Sequence, residues 1–200
     1  MNRMEGSDAA VVAQAVAGDR DAFRALVERH SPSIFRLAFR MTGNEHDAEE
    51  VVQETLLRAY RNLGRFESRA NFGTWLYRIA INCSHDLRRS RQRHEERREH
   101  PEHRESEESD AHEGMDAMPT NDPAPDRLFF STEVKEKVAA ALESLGRLER
   151  AAFVLRHFEG HSIEEIGKML GLKESATKNS IFRAVQKLRR ALEPVVSAAR

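Results

Sequence analysis

The chain has 200 residues, 40% of them hydrophobic and 32% charged, with 32 Lys and Arg against 33 Asp and Glu. That suits one or two small domains with a buried core, and the near-zero total argues against a uniformly basic nucleic-acid binder. The single cysteine, Cys83, excludes an internal disulfide and a cysteine-based metal cage, no apolar run approaches the ~18 residues of a membrane span, and the expectation is a chain without a signal peptide.

Read in chain order, the sequence predicts helices throughout, apart from one segment. From Asp21, the apolar residues Phe23, Leu26, Val27, Ile34, Leu37, Ala38 and Met41 recur at helical spacing, with Pro32 implying a kink or break. Asp47 and Glu50 suggest a capping box for a second helix, whose stripe is Ala48, Val51, Val52, Thr55, Leu56, Ala59, Tyr60 and Leu63. A third helix is predicted from about Thr74 to Arg93, with Trp75, Leu76, Ile79, Ala80, Cys83 and Leu87 inward.

From His94 to Pro125 there is no Leu, Ile, Val, Phe, Trp or Tyr. Such a stretch cannot bury enough apolar surface to offset its ordering entropy, so it reads as a disordered acidic linker over 94–131. Its histidines (His94, His100, His103 and His112) match no helix-face pair, and the expectation is a solvated tether with no metal and no cofactor. The linker divides an N-terminal domain, 8–93, from a C-terminal one, 132–195.

The C-terminal domain repeats the helical pattern. Val134, Val138, Ala141, Leu142 and Leu145 precede Gly146, and then Leu148, Ala151, Ala152, Leu155 and Phe158 form the next stripe. Ser162 and Glu165 make a capping box for a short helix with Ile163, Ile166 and Leu170 inward. A turn at Gly171-Leu172-Lys173 leads to a last helix, capped by Ser175, lined by Thr177, Ile181, Ala184, Val185, Leu188 and Leu192, and closed by Pro194. Two short helices joined by a glycine turn, the second one basic, have the form of a helix-turn-helix. Asn179, Arg183, Gln186, Lys187 and Arg190 lie opposite the apolar stripe, where amides can read base edges and cations can hold phosphates.

Charge counted by segment changes the opening picture. Residues 71–93 carry five arginines against Asp86, residues 99–126 ten acids against Arg104, and residues 173–190 six cations against Glu174. Two basic segments thus flank an acidic one.

Two faces of the N-terminal domain stand out. In the second helix Leu57 falls opposite the core stripe, framed by Glu50, Gln53 and Glu54, and this suggests a protein partner carrying basic residues. In the third, Tyr77, Arg78, Ile81, Asn82, His85, Arg88 and Arg89 form a mixed outward face that suits unstacked bases and phosphates. Trp75 reads as core, and Phe66 sits in the preceding loop.

Four stretches carry a resemblance: Asp19-Arg-Asp-Ala-Phe-Arg-Ala-Leu-Val27, Asp47-Ala-Glu-Glu-Val-Val-Gln-Glu-Thr-Leu-Leu-Arg-Ala-Tyr60, Phe72-Gly-Thr-Trp-Leu-Tyr-Arg-Ile-Ala-Ile-Asn82, and Ser162-Ile-Glu-Glu-Ile-Gly167 with Ile181-Phe-Arg-Ala184. Together, in order, they resemble the extracytoplasmic-function sigma factors of bacteria. The resemblance implies an all-α, two-domain protein that binds core RNA polymerase, at its clamp coiled coil and flap, and directs it to promoters. It places Asp47, Glu50, Gln53, Glu54 and Leu57 at the polymerase. It places Phe66, Trp75, Tyr77, Arg78, Asn82, Arg88 and Arg89 at the minus-ten element, with Asn82 and Phe66 receiving a flipped-out base. It places Ser175, Lys178, Asn179, Ser180, Phe182, Arg183 and Lys187 at the minus-thirty-five element. An anti-sigma protein is a further expected partner, and the acidic linker is expected to mimic nucleic acid in a polymerase channel. The chain departs from the family at Gly146, where proline is usual, and at Ser180, where a DNA-contacting arginine is common, so the promoter sequence does not transfer. The expected protein is cytoplasmic, not inserted in a membrane and not an enzyme. The alternative from the residues alone is a stand-alone helix-turn-helix regulator that needs no polymerase.

Overall fold

A computed structural model describes residues 5–66, 71–99 and 137–198, and the regular structure among them is helical throughout. The first group comprises α1 (Glu5–Val16), α2 (Arg20–Thr42), α3 (Glu45–Asn62), a 3₁₀ turn (Leu63–Arg65) and α4 (Phe72–Glu99). The second comprises helical residues 137–143 (α5), α6 (Arg147–His157), α7 (Ile163–Leu170) and α8 (Glu174–Ala198). Most of the segment read as a linker, with Val134 and His100, His103 and His112, lies outside the described residues. α4 itself runs on to Glu99, into that segment.

Local chemistry accounts for the boundaries. The Asp19 carboxylate accepts from the N–H groups of Asp21 and Ala22 at 2.9 and 3.1 Å, which satisfies donors that the start of α2 leaves open. α2 ends at Gly43 in the left-handed region (φ 89°), where a side chain would be strained. The predicted break at Pro32 is absent, because α2 continues through it. Proline removes one backbone donor, and the neighbouring hydroxyls of Ser31 and Ser33 bond back to the carbonyls of Val27 and His30 at 2.6 and 2.8 Å. α1 has no counterpart in the sequence reading. It contributes only Val12 and Ala15 to the core, too short a stripe to stand out from its Ala-rich surroundings.

In the first group Leu26, Ile34, Leu37 and Met41 of α2, Val51 and Ala59 of α3, and Leu76 and Ala80 of α4 are all almost fully enclosed. Each large side chain so buried contributes about 1.5–3 kcal/mol. Phe66, Phe72 and Trp75 close the lower end, with ring centroids 5.2–5.6 Å apart. Asp8 of α1 accepts from His30 at 2.9 Å, and His30 lies edge-on to Phe72, so α1 is tied to the aromatic cluster.

The second group is smaller. Ala141, Leu142 and Leu145 pack on Ala184 and Leu188 of α8. The predicted capping box is present, with Ser162 N–H donating to Glu165 at 2.7 Å and Glu165 N–H to the Ser162 hydroxyl at 3.2 Å. Gly167 is required where α7 meets the turn, since a Cβ there would lie 2.9 Å from the Leu172 carbonyl oxygen. Several expected details differ. Ser175 lies inside the first turn of α8 and is not its cap, since Thr177 N–H bonds directly to the Lys173 carbonyl at 2.9 Å. Val185 is exposed, as are Leu148 and Phe158, and α8 passes Pro194 to reach Ala198. In place of Leu148 and Phe158, α6 buries Val154 and Arg150.

The reason is that the two groups pack against each other. Tyr77 and Ile81, expected to face outward, are buried (8% and 3% exposed) in one apolar cluster with Ala151, Val154, Leu155, Ile166 and Met169. Around this cluster Glu159 accepts from Arg40 at 2.8 Å and from the Tyr77 hydroxyl at 3.1 Å. Arg150, 1% exposed, donates through Nε and Nη2 to the Arg40 carbonyl at 3.2 and 2.9 Å, and Arg40 stacks its guanidinium 4.5 Å from the Phe158 ring. His161 meets Tyr77 edge-on at 5.0 Å. The seam also encloses polar atoms without partners: His85 Nε2, Arg150 Nη1 and His161 Nε2. Each such atom costs about 1–3 kcal/mol, which offsets much of what the apolar contacts contribute.

Candidate functional site

Three surfaces carry the candidate residues. The first is a groove between α3 and α4, lined among others by Glu50, Gln53, Glu54, Leu57, Asp86 and Leu87. Leu57 is half exposed at its rim, although nearby Val51 and Cys83 are buried. Glu54 and Asp86 both hold Arg58, at 2.5 and 2.9 Å, and these bonds keep that guanidinium strongly protonated. Burial pushes the Cys83 thiol up, which leaves it a poor nucleophile. The expected Asp47 is not on this surface. It is 3% exposed, accepts from its neighbour Asn44 at 2.9 Å and pairs with Arg91 of α4, so it joins α3 to α4. The N-cap of α3 is Asn44, which accepts from Asp47 N–H at 2.8 Å.

The second surface is a cavity of about 280 Å³ lined by Arg58, Asn62, Arg65, Trp75, Ile79 and Asn82. Trp75 and Ile79 supply flat and apolar wall, and Asn82 and Arg65 are exposed at its edge. Asn62 donates its amide N–H to the Arg58 carbonyl at 2.8 Å, which fixes the orientation of its side chain. Trp75 packs on Phe66 and Phe72, as a core residue does, and also lines the cavity. Phe66 packs on Trp75 and is not among the residues that line the cavity. Arg78 and Arg89 are exposed beside the cavity, Arg88 is partly covered at the seam, and Tyr77 is buried there. Burial, with the Glu159 carboxylate adding to it, pushes the Tyr77 phenol up to about 12. Asn62 and Arg65 are absent from the sequence reading. Their signal was the spacing Arg58, Asn62, Arg65, which continues one helical face past the end of α3.

The third surface is the outer face of α8. Asn179, Phe182, Arg183 and Lys187 are exposed, Phe182 most of all at 62%, and Ser180 is partly covered. Lys178 pairs with Glu174 at 2.5 Å, and Lys187 reaches Glu149 of α6 at 2.7 Å. The bond from Lys187, followed by the Gly146 N–H, holds the Glu149 carboxyl below its usual range. Arg183, exposed on the same face, also acts on the Glu149 carboxylate. Among the described residues no group of His, Cys, Asp and Glu is arranged to hold a metal ion, and no helix is long and apolar enough to cross a membrane.

Comparison with known proteins places both helical groups in known families. Residues 26–94 match the family model of sigma-70 region 2, and residues 135–188 that of sigma-70 region 4. The chain is 37% identical to the ECF RNA polymerase sigma factor SigE of Mycolicibacterium smegmatis over 82% of its own length, spanning 59% of that relative. It is 32% identical to the RNA polymerase sigma-H factor of Pseudomonas aeruginosa over 96% of this chain and 97% of that one. It is 30% identical to the ECF sigma factor SigW of Bacillus subtilis over 90% and 94%. CnrH, solved in complex with the cytosolic domain of CnrY, superimposes with a TM-score of 0.66 at 28% identity, covering 94% of this chain and 97% of that one. Two domain models in the expected order, with near full-length relatives, show that the chain belongs to the sigma-70 family as an RNA polymerase sigma factor of the extracytoplasmic-function type.

Proposed function

We propose that this chain binds core RNA polymerase through the α3–α4 groove and reads a bipartite promoter with its other two surfaces. Glu50, Gln53 and Leu57 offer a basic partner helix an apolar anchor within an acidic, amide-rich rim. Asn82, Arg65 and the Trp75 wall suit one unstacked base of the minus-ten element, with Arg78 and Arg89 on neighbouring phosphates. Asn179, Phe182 and Arg183 suit the major groove of the minus-thirty-five element, approached by α8 as a recognition helix. The chain contributes positioning and binding to initiation and no chemistry of its own, and it acts in the cytoplasm. A protein inhibitor is an expected partner, in the way CnrH was solved with the cytosolic domain of CnrY. The observation that carries the reading is the pairing of a base-sized, aromatic-walled cavity in one helical group with an exposed basic helix in the other.

Run-off transcription with purified core polymerase tests it. Leu57→Arg is expected to lower core binding by a hundredfold or more, an effect of roughly 3 kcal/mol at a buried anchor. Arg183→Ala is expected to leave core binding intact and to remove most of the dependence on the upstream element. Normal core binding by Leu57→Arg would show that the groove is not the polymerase surface.

A further inference from the structure

Asp8 of α1 belongs to none of the three surfaces. It is 6% exposed, and its carboxylate pairs with Arg29 and accepts from His30 Nε2 at 2.9 Å. Taking a carboxylate out of water is costly unless it is paired, and here two groups of α2 pair it. Val12 and Ala15 already supply the apolar contact of α1, so packing this helix on the core does not require a buried acid. What the acid adds is direction: it holds the buried imidazole of His30 in one place against the start of α4.

The ring meets the edge of Phe72, with centroids 5.5 Å apart, and lies over Gly73, its Cε1 3.6 Å from where a Cβ would stand. Phe72 and Gly73 open α4. Asn71 accepts there from Gly73 N–H at 2.8 Å through its side chain and from Trp75 N–H at 3.1 Å through its carbonyl. Phe72 is buried and packs on Trp75 with centroids 5.6 Å apart, and Trp75 lines the cavity beside Asn82. A continuous line of contacts thus runs from Asp8 through His30 and Phe72 to Trp75.

We propose that Asp8 and His30 are positioning residues for the minus-ten site. Neither lines the cavity; the pair fixes the start of α4, and with it the place at which Trp75 meets an unstacked base. This role rests on the proposed function of that cavity. Asp8 lies ahead of residue 26, where the match to region 2 begins, so the site draws on a helix outside that match. The physical reason is the short range of stacking. A gap of about 0.5–1 Å forfeits a quarter to a half of the dispersion energy of a contact, so a wall free to shift by that much holds a base poorly.

Trp75 is the single tryptophan of the chain, and its emission therefore reports on the wall directly. The full-length parent is compared with Asp8→Ala, Asp8→Asn, His30→Ala and Val12→Ala, each checked for helicity by circular dichroism and measured well below its melting temperature. Asp8→Ala and His30→Ala are expected to make Trp75 more accessible to acrylamide. As holoenzyme, both should bind a labelled single-stranded minus-ten oligonucleotide about tenfold more weakly, the effect of one lost charge-assisted bond. Asp8→Asn, whose amide oxygen can still accept from Nε2, should recover most of that affinity. Val12→Ala thins the packing of the same helix, and should lower the melting temperature with oligonucleotide binding intact. Core binding should be unchanged throughout. Where Asp8→Ala does not fold, His30→Ala decides, because it removes the ring and leaves the Asp8–Arg29 pair in place. Quenching and affinity that both stay at the parent's values in the two alanine variants would overturn the proposal. So would an affinity loss that Val12→Ala shares in proportion to its melting temperature, or one that Asp8→Asn does not relieve. If Trp75 becomes accessible in Asp8→Ala while the oligonucleotide binds normally both to that variant and to Asn82→Ala, the cavity reading fails and the link from Asp8 to Trp75 stands.

Discussion

The two helical groups bury their apolar residues in different ways. Region 2, the N-terminal group, encloses Leu26, Leu37, Met41, Val51 and Leu76 within its own helices and adds an aromatic cluster at one end. Region 4 keeps Ala141, Leu142, Leu145, Ala184 and Leu188 to itself, but shares Val154, Leu155, Ile166 and Met169 with the cluster that reaches Tyr77 and Ile81 of region 2. A domain of this small size has little interior to spare. Region 2 therefore presents its groove and the Trp75-lined cavity on its own core, whereas region 4 completes its packing against region 2.

Two core truncations separate the regions most strongly. Leu76→Ala and Ile166→Ala each remove a fully enclosed side chain and are expected to cost about 2–5 kcal/mol in chemical denaturation. Leu76→Ala should raise amide exchange along α4 from within, and Ile166→Ala should raise it along the Tyr77–His85 stretch from the other region, because it thins the shared cluster. Unchanged protection there would break the comparison, leaving region 4 as self-contained as region 2. A smaller effect is expected at the two faces proposed to meet DNA. Asn82→Ala should weaken holoenzyme binding to a single-stranded minus-ten oligonucleotide by about 1–3 kcal/mol without changing its salt dependence. Arg183→Ala should reduce the salt slope of upstream duplex binding by about 1. Ser162→Ala is the mildest, about 1 kcal/mol from loss of one cap, and should shift the unfolding of region 4 alone.

The legible parts of the molecule were those governed by contacts a few residues apart. Ser162 and Glu165 announced α7 because both halves of a capping box lie within one turn, and Gly171 announced its end because only glycine sits easily at φ 66°. Leu57 could be seen as unpartnered because its own helix already had a complete inward stripe. The same logic misplaced Asp47. An acid near a helix start reads as a cap, but Asn44 caps α3, and Arg91, from the far half of α4, draws Asp47 inward. It also grouped Phe66 with Asn82, whereas the cavity beside Asn82 is lined by Trp75 and Asn62.

The resemblance of four stretches indicated the family, and the residues by themselves determined the helices other than α1, their order, and the division into two basic regions around an acidic stretch. These follow from periodicity, caps and charge, which act over a turn or two of helix or are simple sums. Only the tertiary structure decided that Tyr77 and Ile81 face inward, that Arg150 is buried while Leu148 and Phe158 are exposed, and that His85 is partly covered, with its Nε2 enclosed near arginines. Each of those outcomes depends on which of two amphipathic faces meets a partner across more than 60 residues of chain, and no local pattern encodes that choice.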